Sequence, residues 1–273
     1  MLNSEGEHKL TPKYNILFII HTFYHQKMKI ILDNLKKYFG DKCAVNIEHY
    51  EINHGTMLGL VGNNGAGKTT LFRLILDLHK AGEGTVLLIP SLDKATPETS
   101  EGINPALSEE WKSLTGSYID EGFLIDYLTP EEYFDFIGKI NGLTKDETNQ
   151  QISTFEKFMG GEIMEQKKLI RNMSAGNKQK IGIIAAMLNR PELLILDEPF
   201  NFLDPSSQSQ MKHLLKNINQ ETGTTIVISS HNLNHTVDIC PKIALLEHGV
   251  IIKDLDNENG SAEKELEDYF NVD

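Results

Sequence analysis

The chain has 273 residues, 40% hydrophobic and 24% charged, the make-up of a globular protein with one large domain or two small ones. Its formal net charge of −13 argues against nucleic acid as a partner, because phosphate backbones are held by clustered basic side chains. Two cysteines, Cys43 and Cys240, are too few for a disulfide framework and lack metal-ligand spacing, which points to a reducing compartment.

Residues 1–28 form a leader to which no role is assigned. Its longest apolar run, "ILFII" (16–20), is far short of the roughly 20 residues that span a bilayer. Glu5 and Glu7, with no small-residue cleavage site, make it unlike a signal peptide. No other segment is apolar for long enough, so any membrane role has to come through a partner. "MKIILDNLKKYF" (28–39) and "CAVNIEHYEI" (43–52) alternate in polarity and predict two strands joined by "GDK". "TMLGLVG" (56–62) predicts a buried strand. "KTTLFRLILDLHK" (68–80) has apolar residues at helical spacing, with Gly82 and Gly84 as stop signals. "TVLLI" (85–89) predicts another strand, and the Pro-, Ser- and acid-rich stretch 90–110 a surface loop. Residues 127–190 read as mainly helical, starting at Thr129-Pro130 with Glu131 and Glu132 in the first turn. "PELLILDEPF" (191–200) and "TTIVISS" (224–230) are buried-strand patterns. With helices between the strands, the sheet should be largely parallel.

The segment Gly62-Asn63-Asn64-Gly65-Ala66-Gly67-Lys68-Thr69-Thr70 fits a phosphate-binding loop, and it stands between a predicted strand and a predicted helix. Its glycines let backbone N–H groups curl around phosphate oxygens, and the helix aims its N-terminus at the same anion. Lys68 can reach the β- and γ-phosphates, and the Thr69 hydroxyl can ligate Mg²⁺. Asp197 and Glu198 lie at the C-terminal end of a predicted strand, where ligands of open α/β sheets bind. Asp197 would hold Mg²⁺, directly or through water, and Glu198 would polarise an attacking water. His231, at the next strand end in "VISSHN", would donate to a γ-phosphate.

With those residues placed, the chain resembles the ATP-binding cassette (ABC) ATPases over about 29–273. "GNNGAGKTT" corresponds to Walker A, "MSAGNKQK" to the signature, "LLILDEP" to Walker B, "NFLD" (201–204) to the D-loop and "SSH" (229–231) to the switch. The resemblance implies an α/β fold with a P-loop NTPase core and mainly parallel sheet, an N-terminal antiparallel β subdomain and an inserted helical subdomain at about 127–190. It implies ATP and Mg²⁺ as cofactors, with Lys68, Glu198 and His231 catalytic. Ser174 and Gly176 of the signature would bind the γ-phosphate held by a second nucleotide-binding subunit, identical or not, in a head-to-tail dimer. The signature departs from Leu-Ser-Gly-Gly-Gln at Met173, Ala175 and Asn177. A Gln that links nucleotide to the partner domain aligns with Asp120 or, as the alternative, Glu121; a carboxylate there could reach Mg²⁺ but cannot donate as Gln does. An aromatic residue before Gly40 would stack on adenine, and Tyr38 and Phe39 both qualify.

The implied function is ATP hydrolysis powering transport through separate polytopic permease subunits, with the chain peripheral on the cytoplasmic face of the membrane. "SAGNKQK", "LTPEEYFDFIGKINGL" and "ELEDYF" look most like subunits of ABC-2-type exporters. The competing readings are a soluble ABC ATPase without a transporter, a nucleotide-gated interaction module that barely hydrolyses ATP, and an uptake transporter.

Overall fold

The computed structural model describes residues 27–91 and 102–270. Two sheets carry the architecture. Strands β1 (Met28–Phe39), β2 (Lys42–Ile52) and β4 (Glu83–Pro90) form an antiparallel sheet in the order β2-β1-β4. Strands β3 (Met57–Val61), β5 (Thr115–Tyr118), β6 (Leu193–Leu196), β7 (Thr225–Ser230), β8 (Lys242–Glu247) and β9 (Val250–Asp256) form the second, in the order β5-β6-β7-β3-β8-β9. Its pairs are parallel except for the antiparallel edge strand β9. The helices are α1 (Lys68–Ile75), α2 (Pro130–Ile140), α3 (Lys145–Ser153), α4 (Glu156–Met159), α5 (Ala175–Met187), α6 (Pro205–Thr222), α7 (Leu233–Val237) and α8 (Glu263–Phe270).

The strand pattern explains the layering. On β1, Met28, Ile30 and Leu32 are buried at every second position, as a strand with one face on a core requires. Strands β3, β6 and β7 are buried on both faces, so their sequences are continuous apolar runs. Leu193 and Ile195 of β6 join the core shared with the antiparallel sheet and α1, while Leu194 and Leu196 face the core built with α2 and α4–α6. The Thr225 hydroxyl ties the sheets together by donating to Met28 O at 2.6 Å and accepting from Gly55 N at 2.8 Å. Asn46 N donates to Gly249 O at 2.8 Å on the other side.

Several expectations change in detail. Helix α1 stops at Ile75 rather than near residue 80, because Asp77 takes a left-handed conformation (φ 50°) that ends the turn before Gly82 or Gly84 is reached. Met28 of the expected leader belongs to β1; the rest of the leader up to 26, and residues 92–101 of the expected loop, lie outside the described residues. Within 127–190, the helical expectation holds for α2 to α5, but 160–174 contain only a short 3₁₀ turn, with Gly160 and Gly161 both at positive φ. Helix α2 starts where expected: Thr129 accepts from Glu132 N, and the Glu132 carboxylate accepts from Thr129 N at 2.9 Å. Strands β5, β8 and β9 are additions.

One buried group sets a pH dependence. Glu192, just before β6, is buried, its Oε2 has no hydrogen-bond partner, and burial pushes its carboxyl up to about 7. The unfolded chain binds its proton less tightly, with a value of about 4.3. The fold therefore loses stability as pH rises from the unfolded value through about 7. Glu192→Gln should stabilise the chain by up to about 4 kcal/mol at pH 8 and by nothing at pH 4, measured by urea unfolding at both values. An equal gain at both pH values would disprove it.

Candidate nucleotide site

The loop between β3 and α1 wraps the helix start. Gly67 caps α1 at φ 112°, and a Cβ there would come 2.5 Å from Ala44 O, so the position requires glycine for conformation and for space. Lys68 is buried, and its Nζ donates to Gly62 O at 2.6 Å and Asn63 O at 3.3 Å. Burial pulls its ammonium below the usual lysine range, opposed by the carboxylates of Glu198 and Asp197. Glu198 Oε1 stands 3.8 Å from that nitrogen.

The strand ends bring the other groups to the same place. Asp197 N donates to Tyr118 O at 2.9 Å, which anchors the end of β6 on β5. The Thr69 hydroxyl donates to Asp197 Oδ2 at 2.5 Å, and the Ser229 hydroxyl donates to Asp197 Oδ1. Ser229 also accepts from Glu198 N at 2.8 Å, so one serine on β7 aligns both acidic residues. His231 Nδ1 lies 2.8 Å from Glu198 Oε2, and its backbone N donates to the same oxygen at 3.3 Å. Phosphate-loop lysine, acidic pair and switch histidine thus form one connected group. Ser229 of "SSH" and Gln179 of "MSAGNKQK" belong to the same group, although sequence alone assigns neither a role. The Gln179 Nε2 donates to Glu198 O at 3.1 Å.

A cleft of about 340 Å³ opens over this group, lined by Phe39, Lys42, Ala44, residues 64–70 and Glu198. Gly62 and Asn63 are not in its lining; their carbonyls accept from Lys68. Of the two aromatics, Phe39 pairs with Lys42 across the hairpin and both line the cleft, whereas Tyr38 pairs with Cys43 and is not part of its lining. Asp120, the expected further Mg²⁺ ligand, is engaged by two groups of the protein. Its Oδ2 pairs with Arg73 of α1 at 3.2 Å, and its Oδ1 accepts from Gly122 N at 2.8 Å. Glu121 lies 3.6 Å from Lys178. Ser174 caps α5 by accepting from Asn177 N at 3.2 Å, and neither Ser174 nor Gly176 lines the cleft.

The oxygen donors present suit a hard cation. Thr69 and Asp197 offer a hydroxyl and a carboxylate side by side, the donor types that Mg²⁺ prefers. Among the described residues no group of three or more His, Cys, Asp or Glu is assembled to hold a metal, so an ion here would draw further ligands from phosphate and water.

Comparison with known proteins gives the family. The ABC transporter family model matches residues 45–201. The bacitracin transport ATP-binding protein BcrA of Enterococcus faecalis is 34% identical over 224 residues, 82% of this chain and 68% of that protein. The linearmycin resistance ATP-binding protein LnrL of Bacillus subtilis is 32% identical over 81% of this chain and 67% of its own length. The dimeric structure of MJ0796, a bacterial ABC transporter cassette, shares the fold with a TM-score of 0.72 at 23% identity, covering 84% of this chain and 99% of that one. A post-hydrolysis state of the same cassette, bound to ADP and Pi, superimposes with a TM-score of 0.71 at 22% identity. Motif order, site geometry and these matches lead to one conclusion: the chain belongs to the ABC transporter family, as an ATP-binding ATPase subunit.

Proposed function

We propose that the chain hydrolyses ATP in a head-to-tail dimer and passes the resulting motion to polytopic permease subunits at the membrane. The observation that carries this reading is the division of the site. Lys68, Thr69, Asp197, Glu198 and His231 converge on one cleft, while Ser174 and Gly176 are held away from its lining. A second molecule has to supply the signature to complete the site. The N-terminus of α5, capped by Ser174, then offers its N–H groups to the γ-phosphate of the other chain's nucleotide.

In the assembled site, Phe39 stacks on the base and the N–H groups of 64–70 hold the phosphates. Lys68 leaves the Gly62 and Asn63 carbonyls for the phosphate oxygens. Thr69 and Asp197 would hold Mg²⁺, which when bound supplies positive charge to the phosphates. Glu198 accepts a hydrogen bond from the attacking water and orients it. His231, already on Glu198, keeps that carboxylate aimed and presents its other ring nitrogen to the γ-phosphate. Asp120, through Arg73 on α1, links the loop after β5 to the helix that follows the phosphate loop.

The permease side is read from a second cavity, about 280 Å³, between β5, α2 and α5, lined by Tyr118, Phe123, Tyr133, Ile137 and their neighbours. Phe123, Tyr127 and Phe136 are exposed around residues 120–136, an apolar surface suited to a cytoplasmic helix of a membrane subunit. Among the described residues no helix is long and apolar enough to cross a membrane. Relatives named for linearmycin resistance fit the exporter reading and relatives named for methionine import the uptake reading; what they share is the transporter reading. The test is purification of the tagged full chain from detergent-solubilised membranes. A stoichiometric polytopic protein, lost in a Phe123→Asp variant, is the expected result; a chain that leaves the membrane fraction alone would favour a soluble ATPase.

A further inference from the structure

We infer that Gln179 is a positioning residue for Glu198, through which the signature helix of each chain holds that chain's own hydrolytic carboxylate. This rests on the reading of Glu198 as the group that orients water. Glu198 has φ 47°, a left-handed conformation that an L-residue with a side chain adopts only when its surroundings impose it. Its carbonyl accepts from two donors: Asn201 N within the turn that follows, at 3.1 Å, and the side chain of Gln179, also at 3.1 Å. Gln179 lies one turn into α5, is buried, and is the point where that helix touches Glu198 through a hydrogen bond. Without its donor, the peptide after Glu198 is held only by the Asn201 bond of its own turn and can relax toward an ordinary conformation. That relaxation would swing the carboxylate away from Lys68 and His231.

The same helix start abuts the turn again further on. A Cβ on Gly176 would fall 2.7 Å from Phe202 O, and Phe202 itself sits at φ 62°. The turn from Glu198 to Leu203 is therefore shaped against the first two turns of α5. Ser174, at the start of that helix, is the residue proposed to read the other chain's nucleotide. A displacement of α5 on binding that phosphate reaches Glu198 through one side chain, so that nucleotide held at one site aims the carboxylate at the other.

The test compares ATP turnover and nucleotide affinity in the purified full chain. Gln179→Met keeps the side chain's length and burial but has no N–H donor. It is expected to lower kcat about tenfold while KM and the affinity for ATP stay unchanged, and to have no further effect on the residual turnover of Glu198→Ala. Gln179→Glu, ionised and unable to donate, should behave the same way. Unchanged kcat in both variants overturns the inference. So does an equal loss in the Glu198→Ala background, or a fall in nucleotide affinity or folded yield with both, since a structural role alone would produce these. If Glu198→Ala itself turns over normally, the role assigned to Glu198 fails and this inference fails with it.

Discussion

Glu198→Gln is expected to lower ATP turnover by roughly 10²–10³-fold, the size of effect a positioned general base contributes. Binding should survive, because the phosphate loop, Lys68 and Thr69 are untouched and Gln can still accept from His231. Loss of a negative charge 3.8 Å from Lys68 should strengthen the hold on a polyphosphate. With hydrolysis blocked, the two-nucleotide dimer has no route to reopen and should accumulate. Size-exclusion chromatography with saturating ATP measures this directly. A variant that stays monomeric under those conditions would remove the sandwich mechanism, and one that keeps turning over would remove Glu198 from the chemistry.

Two inactive chains should restore activity when mixed. Ser174→Arg disables the signature while leaving the phosphate loop intact; the lost helix cap costs about 1 kcal/mol, which a folded cassette tolerates. Lys68→Met leaves the signature intact and removes the buried ammonium that neutralises phosphate charge. Each alone is expected to fall at least about 100-fold in turnover, since each homodimer has two defective sites. A mixed dimer has one site built from the normal phosphate loop of one chain and the normal signature of the other. Phosphate release should therefore reappear on mixing. If the signature served its own chain's nucleotide, every site in the mixture would carry a defect and no activity would return.

Much of this was legible in the sequence for a local reason. A phosphate loop needs glycines, a lysine and a hydroxyl at fixed offsets, so residues 62–70 declare themselves without any tertiary information. Strands β6 and β7, buried on both faces, are equally plain as apolar runs that end in Asp197-Glu198 and Ser229-Ser230-His231. What escaped was settled by contacts between distant parts of the chain. Strand β5 has four residues including a glycine, and it is a strand because β6 pairs with it. Strand β9 alternates exposed and half-buried positions, with Lys253 and Asp254 among them, so its pattern is that of an edge. Phe39 and Tyr38 are indistinguishable in sequence, and only the folded chain shows Phe39 in the lining of the cleft. Arg73 as the partner of Asp120, and Gln179 as the holder of Glu198, join segments that no spacing rule connects.

The order of strands in the larger sheet has a consequence for how the protein is made. Strand β3, which leads into the phosphate loop, is among the first strands to leave the ribosome, yet both its neighbours, β7 and β8, come from the far part of the chain. At ordinary rates of synthesis the gap between β3 and β7 takes roughly ten to thirty seconds to fill. Throughout that time a strand buried on both faces in the finished molecule has nothing to pair with. The phosphate loop therefore acquires its shape late, and the nascent chain depends on chaperones or on speed to keep "MLGLV" from pairing with a neighbour on the same messenger.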